Sequence, residues 1–410
     1  MKIVVFNFGC KVNQYESDVL INLLEQRGHE VSSFLEYADC YIINTCAVTN
    51  EAERKSRQAI ARCKKYNKDA KIFICGCASE KNAKQFYDKD GVVTVKGIAN
   101  KYELVNLIEE GCNVETIPSV FEDGVAKSTR TRSYIKIQDG CNNFCSYCII
   151  PYLRGRSRSR HIDSIIREIE NLKDVNEIVL TGIDISSYGL DIDSSLTELI
   201  TNLQFVNERI RIGSFEVRVI DRPLLEALKN LPNFCPQFHL SLQTGDDSVL
   251  KTMNRHYTCD EYYSKICLIR EYFPNAAITT DIIVGFPTET EENICNTIEF
   301  AKKVEFANIH IFPYSAREGT VAYKRYKMLD PEIVKNRELR LNKVKQELKS
   351  KYEESFIGKQ VEVLIEDIEN DYKVGYTKEY IKVYCDMSLE ENTLQNLTIK
   401  EIYKDGVKGE

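Results

Sequence analysis

Gly140-Cys141-Asn142-Asn143-Phe144-Cys145-Ser146-Tyr147-Cys148 carries three cysteines at CxxxCxxC spacing, with an aromatic residue before the last. Three thiolates this close can hold three irons of a 4Fe–4S cluster, and the fourth iron then has no cysteine nearby. A closed electron carrier brings a fourth cysteine soon after in the run, but none lies between Cys148 and Cys235. An open iron on an electron-rich cluster is a place to bind and reduce a small molecule. The competing reading is a zinc site or a structural cysteine cluster. Zinc sites usually come as two CxxC pairs, or as a pair with histidines. Here there is one triplet, and its nearest histidine is His161.

The stretch resembles the signature of the radical S-adenosylmethionine (SAM) enzymes. That resemblance implies that the open iron takes the amino and carboxylate groups of SAM. It also implies that Tyr147 lies near the adenine.

The composition sets bounds on the rest. The 410 residues carry 55 Lys+Arg against 62 Asp+Glu, a net charge of −7. This argues against a general nucleic-acid coat protein and leaves room for a local basic patch. No apolar run reaches membrane-spanning length. The start, Met1-Lys2-Ile3-Val4-Val5-Phe6, enters a strand without signal-peptide architecture. Fifteen cysteines in such a chain point to a reducing cytoplasm, where thiols bind metal or sit in cores.

Upstream of the motif the chain alternates strand and helix: strands at 2–8, 39–44 and 71–75, helices at 16–27 and 50–66. Such alternation implies an open parallel α/β sheet. A cysteine follows each apolar strand, in Gly9-Cys10, Thr45-Cys46 and Gly76-Cys77. Sites in open α/β sheets gather at the carboxyl ends of strands, so these three cysteines should converge as a second cluster site. The alternative is three buried cysteines, which their equivalent positions disfavour. Cys75 is assigned to the core. Cys40, Cys63, Cys112, Cys235, Cys259, Cys267, Cys295 and Cys385 show no motif spacing and are read as structural.

Downstream, strands at 134–138, 177–180, 210–214, 237–242, 278–284 and 307–312 alternate with helical stretches. About six β/α repeats suggest a partial (β/α)6 barrel with ligands at the C-terminal strand ends. Residues 331–352 read as a charged connecting helix. Strands at 360–366, 380–385 and 396–403, with turns near Gly375 and Gly406, suggest a small OB-like β-barrel.

Together these pieces resemble the methylthiotransferases, radical SAM enzymes with two 4Fe–4S clusters, over nearly the whole chain. Gly9-Cys10-Lys11-Val12-Asn13-Gln14-Tyr15-Glu16-Ser17 looks like the branch acting on threonylcarbamoyladenosine in tRNA. Cys148-Ile149-Ile150-Pro151-Tyr152-Leu153-Arg154-Gly155, Ile283-Val284-Gly285-Phe286-Pro287 and Phe312-Pro313-Tyr314-Ser315 also fit. The resemblance implies three domains: 1–120 with an auxiliary cluster, 127–350 with the radical SAM site, and 353–410 as a TRAM-like RNA-binding module. It implies that Cys141, Cys145 and Cys148 hold the cluster that reduces SAM. Cys10, Cys46 and Cys77 would hold the second, and a methylthio group would pass to carbon 2 of the adenine. Two alternatives keep this chemistry on isopentenyladenosine tRNA or on a ribosomal protein. A third is a non-catalytic iron–sulfur carrier.

Candidate SAM contacts are Thr181 and Gly182 after a strand, Ser241 and Gln243 at a strand end, and Glu216 and Arg255. For Ser241 and Gln243, hydrogen bonding within the barrel is the alternative, and Asp281 is either a core polar residue or a substrate contact. Arg154, Arg156, Arg158 and Arg160 alternate beside the cysteine loop and are candidate phosphate contacts or a clamp for SAM and substrate, the alternative being a solvated face. Lys373, Lys378, Tyr380 and Lys382 are candidate grips on an anticodon stem-loop. Expected partners are that tRNA, an electron donor such as flavodoxin or ferredoxin, and a sulfur source.

Overall fold

The computed structural model describes residues 1–99, 101–110, 124–126 and 131–410. Cys112 and half of the junction expected between the first two units, residues 121–123, lie outside them.

β1 (Lys2–Asn7), β2 (Glu30–Ser32), β3 (Cys40–Thr45), β4 (Lys71–Gly76) and β5 (Val92–Val95) make a parallel sheet in the order β2-β1-β3-β4-β5. Its strands are apolar on both faces because helices cover both. Val4, Tyr41, Ile43, Ile72 and Ile74 pack into one core, and Ile3, Val5, Ile42, Phe73 and Cys75 into the opposite one. That alternation is the period-two geometry of a strand. β1, β3 and β4, which precede the three cysteines, are neighbours at the centre of the sheet.

Helix α1 spans Lys11–Gln26 and begins directly after Cys10, five residues earlier than the sequence reading. Asn13 and Glu16 in its first turns are polar yet buried, so an apolar periodicity passes over them. Helix α2 (Asn50–Tyr66) starts at Thr49, whose hydroxyl accepts from the Ala52 N–H. Helix α3 (Cys77–Lys81) opens on Cys77 itself.

In the second unit β6 (Arg132–Lys136) leads into a two-residue antiparallel pair, β7 (Gln138–Asp139) with β8 (Arg158–Ser159), which closes the base of the cysteine loop. β9 (Glu177–Thr181) and β10 (Arg209–Ile212) line up parallel beside β6. β11 (Gln237–His239), β12 (Ala277–Val284) and β13 (Asn308–Pro313) form a second parallel set. Parallel bridges Ile210–Phe234 and Phe215–Leu240 join the two sets, giving six strands curved around a lumen. This is the partial (β/α)6 barrel expected from the repeats.

A 24-residue helix, Pro331–Glu354, leads to a closed antiparallel-rich barrel. Its strands are β14 (Gln360–Glu369), β15 (Tyr372–Thr377), β16 (Lys382–Cys385), β17 (Leu394–Tyr403) and β18 (Gly406–Gly409). Gly375 lies within β15, not at a turn, whereas Gly406 opens β18 directly after a turn. A Cβ on Gly375 would sit 2.3 Å from the Leu364 carbonyl oxygen, and one on Gly406 2.3 Å from that of Lys382. The turns fall at Asn370 and Lys404, both at positive φ.

Candidate functional site

Gly140 takes φ of +71°, and a Cβ there would meet the Arg156 carbonyl oxygen at 2.0 Å. The cysteine loop therefore starts with a turn open only to glycine. Cys141 N–H donates to the Gly155 carbonyl at 3.2 Å, Ser146 N–H to Met253 at 2.9 Å, and Ala322 N–H to Ser146 at 2.7 Å. These bonds pin the loop to three separate elements.

Donors surround the thiols. The Asn143 N–H reaches Cys141 Sγ at 3.4 Å, and Arg255 Nη1 reaches Cys145 Sγ at 3.3 Å. Arg255 also pairs with Glu216 at 2.8 Å and donates to the Ser241 carbonyl at 3.2 Å. Asn143 Nδ2 donates to both Asp184 (3.0 Å) and Glu216 (3.2 Å). The structure thus gathers Arg255, Glu216 and Ser241 beside Cys145, as the sequence reading grouped them. Asn143 and Asp184 were missed: neither stands in a motif that announces a role. Burial and the nearby Glu216 push the Asp184 carboxyl above its usual range. Gln243 sits at φ of +74°, a strained conformation for a side-chain-bearing residue. Tyr147 packs edge-on to Phe286 at 6.5 Å between ring centroids. Thr181 and Gly182 line the wall of the barrel lumen.

The three N-terminal cysteines stand at the ends of the adjacent strands β1, β3 and β4. Cys77 and Cys10 both raise the pKa of Cys46, which burial has already pushed up to about 12. Cys10 likewise raises that of Cys77. In the second triplet burial lifts Cys148 to about 12, with Cys145 adding to it. All six are free thiols. Among the described residues no trio of His, Cys, Asp or Glu closes on one point as a single-ion site does. Closely set thiols among amide and guanidinium donors fit a larger cationic group that would hold them as thiolates. Of the remaining cysteines, Cys40, Cys63, Cys75, Cys235 and Cys385 are buried as expected. Cys267 and Cys295 are exposed and Cys259 is half-buried, so a core role does not apply to them.

The arginine run needs correction. Arg154, Arg158 and Arg160 are buried and bonded within the protein, so none is free for phosphate. Arg154 pairs with Glu16 at 3.0 Å and Asp139 at 2.9 Å, and its Nη2 donates to Asn13 Oδ1 at 2.8 Å. Arg158 donates to the Arg154 and Arg156 carbonyls, and Arg160 pairs with Glu168. Arg156 alone is exposed, stacked 4.7 Å over Phe144. In the C-terminal barrel Lys373 pairs with Glu391 (2.6 Å), Lys382 with Glu369 (2.6 Å) and Lys378 with Asn233 (3.0 Å). Tyr380 stacks on Tyr376, 4.7 Å between centroids, with Arg132 and Arg211 over its ring. These groups are engaged in holding the barrel together and docking it.

Arg154 also joins the two triplets. Its helix, Ile150–Arg154, begins two residues after Cys148. Asn13, which it grips, accepts from the Cys10 thiol at 3.8 Å. Lys101 (2.5 Å) and Lys136 (3.5 Å) pair with Glu16 as well. Burial opposes ionisation there, yet Arg154, Lys101 and Lys136 together hold Glu16 down to about 2.

A cavity of about 560 Å³ runs along the lumen, from Cys10, Thr181 and Gly182 to Tyr380 of the C-terminal barrel. Its wall includes Lys11, His239, Thr279, Asp281 and His310. Asp281, read earlier as either core or contact, faces this space, 3.2 Å from His239 Nε2.

Residues 135–301 match the radical SAM superfamily, and residues 2–97 match Uncharacterized protein family UPF0004. The radical SAM methyltransferase TsrM from Kitasatospora setae shares the fold with a TM-score of 0.55 at 16% identity, over 76% of this chain and 72% of that one. Fold, cysteine loop and match define a radical SAM enzyme, a class that works with SAM and a 4Fe–4S cluster. The threonylcarbamoyladenosine tRNA methylthiotransferase MtaB of Aquifex aeolicus (strain VF5) is 37% identical over 380 residues, 89% of this chain and 93% of its own length. Its namesake in Bacillus subtilis (strain 168) is 35% identical over 407 residues, 93% of this chain and 90% of its own. A tRNA-2-methylthio-N(6)-dimethylallyladenosine synthase of Sulfurihydrogenibium sp. (strain YO3AOP1) is 32% identical over 431 residues, 100% of this chain and 99% of its own. The chain belongs to the methylthiotransferase family of radical SAM enzymes.

Proposed function

We propose that the protein converts threonylcarbamoyladenosine, next to the anticodon of tRNA, into its 2-methylthio derivative. One observation carries the reading: two cysteine triplets from separate units joined through a single buried arginine, Arg154. A one-cluster enzyme has no use for the second triplet. The branch follows the relatives named for threonylcarbamoyladenosine.

Cys141, Cys145 and Cys148 would hold one 4Fe–4S cluster, and Cys10, Cys46 and Cys77 a second. When bound, cluster and SAM supply a 5′-deoxyadenosyl radical able to remove hydrogen from an unactivated carbon. The protein's part is to bind and orient. Arg255, fixed by Glu216 and Tyr257, presents a donor at Cys145 and is placed to meet a carboxylate. Ser241, Gln243, Thr181, Gly182 and Tyr147 complete the proposed SAM surroundings. Exposed Arg156 beside the loop and the C-terminal barrel, read as a TRAM-like module, would contact the anticodon stem-loop. The adenine must leave its stack to enter the lumen. A flavodoxin or ferredoxin and a separate sulfur source would serve the enzyme in the cytoplasm. No helix among the described residues is long and apolar enough to cross a membrane.

The test is nucleoside mass spectrometry of tRNA after anaerobic incubation with reconstituted protein, SAM and a reductant. A methylthio gain on threonylcarbamoyladenosine is expected. A gain on isopentenyladenosine alone refutes the branch. No gain on either, with SAM still cleaved, redirects the search to a protein substrate. Cys145→Ala should abolish SAM cleavage. Cys46→Ser should lower the iron content by about one cluster while 5′-deoxyadenosine still forms; unchanged iron removes the second-cluster claim.

A further inference from the structure

Lys11 follows Cys10 directly and lines the lumen cavity. It opens α1, whose backbone is held by the helix, so its side chain projects from a fixed base. Among the described residues it makes no hydrogen bond or ion pair. Its nearest influential carboxylates are Glu177 and Asp281, and both are taken. Glu177 accepts from Arg211 at 2.8 and 3.0 Å and pairs with Arg132 at 2.8 Å. Asp281 pairs with His239. The other lysine on the wall, Lys349, pairs with Glu353 at 2.6 Å. Lys11 is therefore a solvent-reachable cation on the cavity wall, with further cations (Arg132, Arg211) near it and no ion pair of its own among the described residues.

The rest of the wall shows what kind of anion fits. Thr279 Oγ1 receives Gln237 Nε2 at 3.2 Å and lies 3.0 Å from His239 Nδ1, so the polar groups there are fixed in orientation. The volume lies within the range of small-ligand sites, about 300–1,000 Å³. An apolar prenyl substituent in this space would leave Lys11 and the His239–Asp281 pair facing hydrocarbon. A substituent ending in an amino-acid carboxylate and hydroxyl would match them.

Resting on the tRNA reading above, we propose that Lys11 reads the free carboxylate of the substituent on the adenine N6. Adjacent to Cys10, it would anchor the far end of the modified base while the ring lies toward the cysteines. It is a specificity-determining residue, acting by one charge-assisted hydrogen bond.

The experiment uses the reconstituted holoenzyme and two anticodon stem-loops, one carrying threonylcarbamoyladenosine and one its carboxylate methyl ester. The wild type should prefer the acid by about 10- to 100-fold in kcat/KM, the value of a charge-assisted bond in a partly desolvated site. In Lys11→Met the acid-to-ester ratio should fall close to one, and Lys11→Arg should restore most of it. A ratio cancels any general damage to the cysteine site next door. Equal use of acid and ester by the wild type overturns the proposal even if the variants load no iron. So does a ratio unchanged in Lys11→Met. No turnover of either stem-loop, with isopentenyladenosine tRNA modified instead, overturns the branch reading and the carboxylate proposal together. Turnover of acid and ester alike leaves the branch standing and removes Lys11 from its recognition.

Discussion

Arg154 touches Asn13 and Glu16 from one unit and Asp139 from another, with no exposure to solvent. Arg156, two residues on, points outward over Phe144. The two should therefore behave oppositely on mutation. Arg154→Leu removes the closest guanidinium from two buried carboxylates, leaving Glu16 to Lys101 and Lys136 and Asp139 to Lys136 and Arg158. That is expected to cost on the order of 3–5 kcal/mol, read as a lower urea midpoint with an unchanged slope. Arg156→Ala should cost within about 1 kcal/mol but weaken tRNA binding and reduce its salt slope by about one. A mild Arg154→Leu, or salt dependence unaltered in Arg156→Ala, would refute this division. The alternation Arg-Gly-Arg-Ser-Arg-Ser-Arg looked like a basic patch because composition shows charge but not burial. Of the acids that absorb it, Glu16 comes from a distant stretch, while Asp139 and Glu168 lie 15 and 8 residues from their arginines without any spacing that marks them as partners. The cysteines were legible because their chemistry resides in spacing and in strand ends. Lys11 was legible only as part of a signature, since its lack of a partner is a property of the folded lumen.

At the scale of elements, what could be read was whatever a single period announces. β3 is buried at all six positions, and such apolar runs stand out. α1 was entered late because Asn13 and Glu16 serve Arg154 and not the core. In the C-terminal barrel β15 and β18 were missed for a related reason. Gly375 and Gly406 resemble turn residues in sequence, whereas in a small closed barrel they let neighbouring strands approach. A Cβ at Gly375 would also meet Val363 Cγ1 at 2.7 Å. Gly375→Ala should push β14 from β15 and lower the stability of the barrel by about 1–3 kcal/mol, with faster amide exchange along Val363–Ile365 as the local readout. Unaltered exchange there would show that the barrel accommodates the methyl.

Across the whole molecule, buried charge helps to dock the units, alongside apolar contacts such as Ile149 and Leu153 in the N-terminal core. At the junction with the C-terminal barrel, Arg132 pairs with both Glu177 and Glu366, and Arg209 reaches Glu362 at 3.0 Å. Two carboxylates on one arginine cannot be treated alike. Burial opposes the charge of Glu177, but Arg211, Arg132 and Arg209 hold it down to about 2. Glu366, with burial against it and Glu177 close by, is pushed up to about 7. The signs then separate. A depressed acid stabilises above its unfolded value near 4.5 and loses that contribution as pH falls toward 2. A raised acid does the reverse, and its contribution is lost as pH rises from about 4.5 to about 7. Each window is worth up to about 3 kcal/mol. Urea denaturation followed across pH should therefore show docking of the barrel weakening on both sides of about pH 4.5 to 5. Glu366→Gln should flatten the decline toward neutrality and leave the acid limb. Glu177→Gln should flatten the acid limb, at the cost of leaving Arg211 and Arg132 short of an anion. Parallel pH profiles in the wild type and Glu366→Gln would mean that Arg132 keeps both carboxylates charged.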